Sequence, residues 1–137
     1  MITNYQNPIG TLSLLDSTDP SSDAKAVFYS TTTGLSTGTG QTTAVTTIAL
    51  CNTAAGDVTL VDETVDQVVV SIYLVKHGFS ATPANRIVSN LIIPAGETVF
   101  FNDERLILEG SGATMDSIWI GSSSAGKLSV TVSTLPV

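Results

Sequence analysis

His77 is the single histidine of this 137-residue chain. Histidine is the commonest general base, so a hydrolytic reading has to begin there. It stands in "LVKHGFSATPAN", directly after the most strand-like stretch of the sequence, in what reads as a loop. A serine triad would also need a nucleophile on a sharp strand-to-helix turn. The nearest candidate, "GSSSAG", has Ala125 where the pattern G-x-S-x-G requires glycine, and it lies between two expected strands. A second chemistry would use paired carboxylates. Glu97, Asp103, Glu104, Glu109 and Asp116 all fall in "NLIIPAGETVFFNDERLILEGSGATMDSIWIGSS", together with Arg105 and the one tryptophan, Trp119. Two carboxyl groups at a set separation can cleave a glycosidic bond, but such clefts usually hold the sugar on several aromatic platforms. Aromatic residues are 6% of this chain, which supports such a cleft poorly.

Metal sites are no better supplied. Zinc sites call for clustered Cys and His, and the chain has one of each, well apart. "DSTDPSSD" spaces Asp16, Asp19 and Asp23 loosely like a calcium loop, yet the same residues make an ordinary Asx and Ser turn cluster. "GLSTGTG" has its glycines in the wrong order for a dinucleotide fingerprint, and no helix follows to offer amides to a phosphate. The residues therefore point to no catalytic group, no cofactor and no metal.

The elements that would have to position any site are strands. Charged residues make up 12% of the chain, about half the usual share, and Thr, Ser, Asn and Gly supply the polar surface instead. Such a composition suits pleated sheets and lacks the Ala-, Leu-, Glu- and Lys-rich segments of helices. The net charge of −7 argues against a nucleic-acid partner, because five scattered Lys and Arg cannot form a phosphate-neutralising stripe. No apolar run approaches the ~20 residues that span a bilayer, and no basic-then-apolar leader opens the chain. The expectation is a soluble protein made in a cytoplasm, without a membrane partner. Cys51 has no partner for an internal disulfide and is expected to be a buried, inert thiol.

Residues 1–22 are expected to form an N-terminal arm or a first strand, and residues 23–137 a single β-sandwich domain. In "AKAVFYS", Val27 and Tyr29 are expected to share one face; "TTTGLSTGTGQTT" reads as an exposed loop. "AVTTIALCN" and "VTLVDE" are the next expected strands. "QVVVSIYLVKHG" follows, with Val68, Val70, Ile72 and Leu74 on one face and Val69, Tyr73 and Val75 on the other. With both faces apolar it should be central. "RIVSNLIIP" ends at Pro94, and "IPAGE" makes a tight connection to "ETVFFND". "FNDER" and "EGSGATMD" are further turns, around "RLILEG" and before "DSIWIGS". The last run, "KLSVTVSTL", alternates Leu128, Val130 and Val132 with polar residues. Seven or eight short strands at spacings of about 8–12 residues describe an all-β antiparallel sandwich or jelly-roll-like domain. Ile118 and Ile120 should face its core, leaving Trp119 on the other side in need of cover.

The succession "VVVSIYLVKHG…NRIVSNLIIPAGETVFFNDERLILEGSG…DSIWIGSSSAGKLSVTVSTL" resembles small virion proteins of tailed bacteriophages, particularly cyanophages and other marine phages. The likeness spans residues 67–135, about half the chain, and is one of β turns rather than of functional residues. It implies a non-enzymatic particle subunit with a β-sandwich fold, present in many copies and assembled in the host bacterial cytoplasm. Capsid decoration or cement, a head–tail connector (neck) subunit, and a tail or baseplate component are the positions it implies. Its partners would be other copies of itself, as a trimer or ring, and major capsid, portal or adaptor, or tail subunits. Tyr5, Ile9 and Leu12 of the arm, with Tyr73 and Trp119 of the domain, are the expected interface residues. The other expectation is a carbohydrate-binding or adhesin module using Trp119 or Tyr73 as a platform.

Overall fold

The computed structural model describes residues 24–57, 59, 61–102, 106–123 and 127–137. Arm residues Tyr5, Ile9 and Leu12, and the aspartates Asp16, Asp19 and Asp23, lie outside them. Among the described residues there are nine strands, one 3₁₀ turn (Pro83–Asn85) and no α-helix. β1 (Lys25–Tyr29), β8 (Ser117–Ser122), β3 (Val68–Val75) and β4 (Arg86–Ile93) form a four-stranded sheet in the order β1-β8-β3-β4. The second sheet is built on β2 (Gly40–Asn52). β9 (Leu128–Pro136) runs along one side of β2; β6 (Leu106–Gly112), with its hairpin partner β7 (Thr114–Met115), and β5 (Thr98–Phe101) share the other. All pairings are antiparallel, and the two sheets pack as an all-β sandwich.

Period-2 alternation explains most of this. In β9 the residues Leu128, Val130 and Val132 are buried while Ser129, Thr131 and Ser133 are not. β3 is central and buries both faces, with Val68, Val70 and Ile72 in the sandwich core and Tyr73 and Val75 in a smaller cluster outside it. Each well-buried Val, Leu or Ile of the core contributes about 1.5–3 kcal/mol. "IPAGE" is a tight turn as expected, with Gly96 at φ +75° and the Glu97 amide donating to the Pro94 carbonyl. It joins β4 of one sheet to β5 of the other.

Three local expectations give way to the structure. β1 shifts register between Ala26 and Phe28, so Val27 and Phe28 both enter the core and Tyr29 leaves the face expected for it. "GQTT" belongs to β2 rather than to a loop, which makes β2 the longest strand at 13 residues. The described residues of "VTLVDE" form no strand: Val61 is 84% exposed and residues 63–66 form a turn. Here Asp57 Oδ1 accepts the amide and hydroxyl of Thr59, and Asp62 Oδ1 those of Thr64. Local Asp–Thr bonding of this kind offers the backbone an alternative to ladder pairing.

Candidate functional site

The acidic stretch that looked like one cluster is divided between opposite ends of the sandwich. The Glu97 carbonyl accepts from the Asn52 amide at the last residue of β2, whereas Glu109 lies on β6 close to where Gly40, the first residue of β2, pairs with Gly112. Thirteen extended residues separate these ends by roughly 40 Å. Asp103, Glu104 and Arg105 lie outside the described residues, as does Ala125.

At the Glu109 end, the fold does bring His77, Glu109 and Asp116 together. Asp116 follows β7 of one sheet and precedes β8 of the other, so the chain changes sheets at this residue. Its Oδ1 accepts the backbone amide of His77 at 3.1 Å, and its Oδ2 accepts the amide of Glu109 at 3.4 Å. Both carboxylate oxygens thus hold backbone. Ser30 completes the corner: its hydroxyl meets the Glu109 carbonyl at 2.6 Å and the Asp116 carbonyl at 3.0 Å, and its own carbonyl accepts the Gln41 amide. Gly110 permits this crossing, because a Cβ there would lie 2.2 Å from the Ser30 carbonyl oxygen and 2.6 Å from the Gln41 nitrogen. Glu109 itself makes an exposed ion pair with Lys76 at 3.6 Å, a contact worth about 0–1 kcal/mol.

The His77 ring is oriented by a different bond. Its Nδ1 accepts the Met115 amide at 3.3 Å, so in the neutral ring the proton sits on Nε2. A triad imidazole has the reverse arrangement, with Nδ1–H donated to a carboxylate and Nε2 free to take a proton. Ser117, on the same groove, accepts Trp119 Nε1–H at 2.8 Å and donates to the Val75 carbonyl at 3.4 Å. The polar groups around His77 are engaged in holding the corner and the tryptophan.

Aromatic side chains give this end its shape. Tyr29, His77, Phe79, Met115 and Trp119 line an open groove of about 350 Å³. Trp119 is half-buried and packs on Ala24, Tyr73, Val75 and Ala81, which answers the question of its cover: this part of the outer face of the four-stranded sheet is clothed by the chain's own loop and strand ends, while Ile92, beside Val69 on the same face, stays exposed. Tyr73, expected at an interface or as a sugar platform, is fully buried in that cluster with the Arg86 guanidinium 5.4 Å from its ring centre. Its ring offers no face to a ligand, because it stands on the central strand β3 beside Trp119. Its hydroxyl and Arg86 Nε are buried and have no hydrogen-bond partner among the described residues.

The opposite end is organised by a residue that sequence reading passed over. Asn52 is fully buried; its Nδ2 donates to the Asp66 carbonyl at 2.8 Å and the Ile93 carbonyl at 3.0 Å, and its Oδ1 accepts the Ala54 amide at 3.0 Å. Its main chain pairs with Gly96 and Glu97. One side chain therefore ties the 53–67 loop to the end of β4. Its signal in the sequence was a lone Asn at an inward strand position, beside a turn. Asp57 and Asp62 stand on that loop, and the hydroxyls and amides of Thr59 and Thr64 hold both carboxyls below the usual range. Among the described residues, no group of His, Cys, Asp or Glu is placed to hold a metal ion.

The outer face of the five-stranded sheet is different again. Cross-strand rows Phe100–Ala49–Thr131, Thr98–Cys51–Ser129 and Ile107–Ala44–Leu135 run across it without a charge. Phe100 is 62% exposed and Ile107 53%. Cys51 is half-buried on this face rather than inside the core, because Leu50 and Asn52 take the inward positions on either side of it. Comparison of the chain with protein-family models, curated proteins and solved structures finds no match to any of them.

Proposed function

We propose that this chain is a non-enzymatic structural subunit of a bacteriophage particle, acting through contacts with copies of itself and with neighbouring virion proteins. The observation that carries the reading is the outer face of the five-stranded sheet, where exposed Phe100 and Ile107 stand in uncharged cross-strand rows and Glu109 of β6 is the one acid on the described strands. A chain of net charge −7 has acids enough to solvate every face, yet the three rows through Ala44, Ala49 and Cys51 hold none. Exposed apolar patches rimmed by polar groups mark interaction sites. The polar groups at the His77 end are consistent with the same role, since Asp116 and Ser30 hold the sheet-to-sheet corner. The resemblance of residues 67–135 to tailed-phage virion proteins supplies the particle; decoration of the capsid and the head–tail junction are its leading positions, with tail or baseplate next.

Mass spectrometry of purified particles tests this directly. The chain is expected among the virion proteins, with hundreds of copies for a capsid or tail-tube position and six or twelve for a neck or baseplate ring. Its absence from particles would sink the proposal. A second reading, a glycan-binding module, draws on the groove where Tyr29, Phe79 and Trp119 gather. Trp119 is the chain's one tryptophan, so its fluorescence reports binding there. Emission unchanged across a glycan panel removes that reading.

A further inference from the structure

We infer that residues 16–23 cross the outer face of the four-stranded sheet of their own chain, with the Asp19 carboxylate accepting from Arg86 Nε and from the Tyr73 hydroxyl. The inference goes beyond the particle role proposed above and does not rest on it. It starts from two donors that lack an acceptor. Tyr73 is fully buried, and neither its hydroxyl nor the buried Nε of Arg86 has a hydrogen-bond partner among the described residues. The two residues stand opposite each other on β3 and β4, with the guanidinium against the phenol ring. Arg86 Nη1 donates to Ser89 Oγ at 3.2 Å, and among the described residues no carboxylate pairs with the guanidinium. A buried donor without an acceptor costs more than an ordinary hydrogen bond gains, and a cation in that position costs more again. What the corner calls for is an anionic oxygen.

Small residues on the same face mark the way to it. Lys25 pairs with Ile120, and Gly121 pairs with Ser71, so Ala24, one place before Lys25, stands at the end of a row through Gly121 and Ser71. That row lies beside Ala26–Trp119–Tyr73–Arg86. Both rows point away from the sandwich core, yet Ser71 is fully buried and Gly121 is buried too, with little or no side chain of their own. A row of small residues against a row of large ones is a step along which one extended segment can lie. Ala24, itself buried, is where residues 1–23 join that step.

Length and charge select the acid. From β1 to β4 is three inter-strand spacings, roughly 14 Å. Asp19 stands five places ahead of Ala24, and five extended residues cover about 16 Å. Pro20 biases Asp19 to extended backbone, as the crossing requires. Asp23 is next to Ala24 and cannot reach Arg86, and Asp16 overshoots it on an extended path. The segment carries three aspartates and no cation, and the crossing sets it on one of the five basic residues of a chain of net charge −7. Residues 1–15, with Tyr5, Ile9 and Leu12, would then leave the domain at the β4 edge.

Hydrogen exchange on the purified full chain tests this. The amides of Ser21, Ser22 and Asp23 should exchange at least about tenfold slower than in an unstructured chain, equally at low and high protein concentration. Asp19→Asn, Arg86→Gln and Tyr73→Phe should each remove most of that protection, whereas Asp16→Asn should leave it unchanged. Asp19→Asn combined with Arg86→Gln should lose no more than the worse single variant, as two partners in one contact do. Amides of β3 show whether each variant keeps its sheet; if Arg86→Gln or Tyr73→Phe disturbs them, Asp19→Asn against Asp16→Asn decides. Unprotected amides in the parent chain, protection that fades on dilution because the segment belongs to another copy, loss at Asp16 rather than Asp19, or additive losses in the double variant would each overturn the inference. Absence of the chain from phage particles would leave it standing.

Discussion

The two ends of the sandwich solve one problem with opposite chemistry. Each must carry the chain between sheets while satisfying backbone groups that leave the ladders. At one end a buried, neutral Asn52 does this with three side-chain hydrogen bonds. At the other, a surface carboxylate, Asp116, accepts two backbone amides beside a corner so tight that Gly110 has no room for a Cβ. Burial decides the choice. An amide can be enclosed once its bonds are made, whereas a carboxylate is enclosed only at a much larger desolvation cost, so the charged solution sits where water reaches it.

Substitutions at the two ends should separate these solutions, beginning with the most severe. Gly110→Ala drives a methyl into the Ser30 carbonyl and the Gln41 nitrogen, both backbone, and should cost on the order of 4 kcal/mol. Thermal unfolding of the variant checks it, and a melting temperature close to the parent's would mean that the corner yields more easily than its geometry implies. Asn52→Leu leaves the Asp66 and Ile93 carbonyls and the Ala54 amide unpaired at a buried site, for a loss of about 3 kcal/mol in denaturant titration. Asp116→Ala removes two acceptors that water can partly replace, so about 1–2 kcal/mol is expected. Asp116→Asn should recover part of this, having one oxygen left to accept; equal losses in the two would place the role of Asp116 elsewhere.

Acid gives the gentlest test. Asp57 and Asp62 have carboxyls lowered first by the Thr59 and Thr64 hydroxyls, so their contribution is fully present above the ordinary carboxylate pKa of about 3.9. It is lost as pH falls through the depressed folded values. As pH falls through those folded values the protection factors of the Thr59 and Thr64 amides should drop while the core amides of β3 keep theirs. Simultaneous loss at both places would show that the acidic loop is part of the cooperative core.

Much of the fold was legible because strand alternation is local. The burial of Leu128, Val130 and Val132, the two apolar faces of β3 and the turn at Pro94–Gly96 follow from neighbours in sequence. The pairing of Val27 with Phe28 in the core did not, since a bulge breaks the period at the point where it matters. The described residues of "VTLVDE" form no strand because Asp57 and Asp62 bond the Thr two places on, a local signal that the β-branched residues hid. The candidate site was legible only as residue types. Asp116 bonds His77 from 39 positions away, and Ser30 reaches it across 86.

The sequence by itself determined an all-β chain with alternating faces, and a poverty of charge that leaves much of its surface to Thr, Ser and Ala. Tertiary structure alone decided that Trp119, Tyr73 and Ala81 would come together on one outer face while Phe100 and Ile107 stayed exposed on the other. It also turned the acids of a promising stretch into a corner at one end and a loop at the other. The physical reason is that alternation fixes which way a side chain points relative to its own strand, whereas its cover depends on which distant segment the sheet order brings alongside.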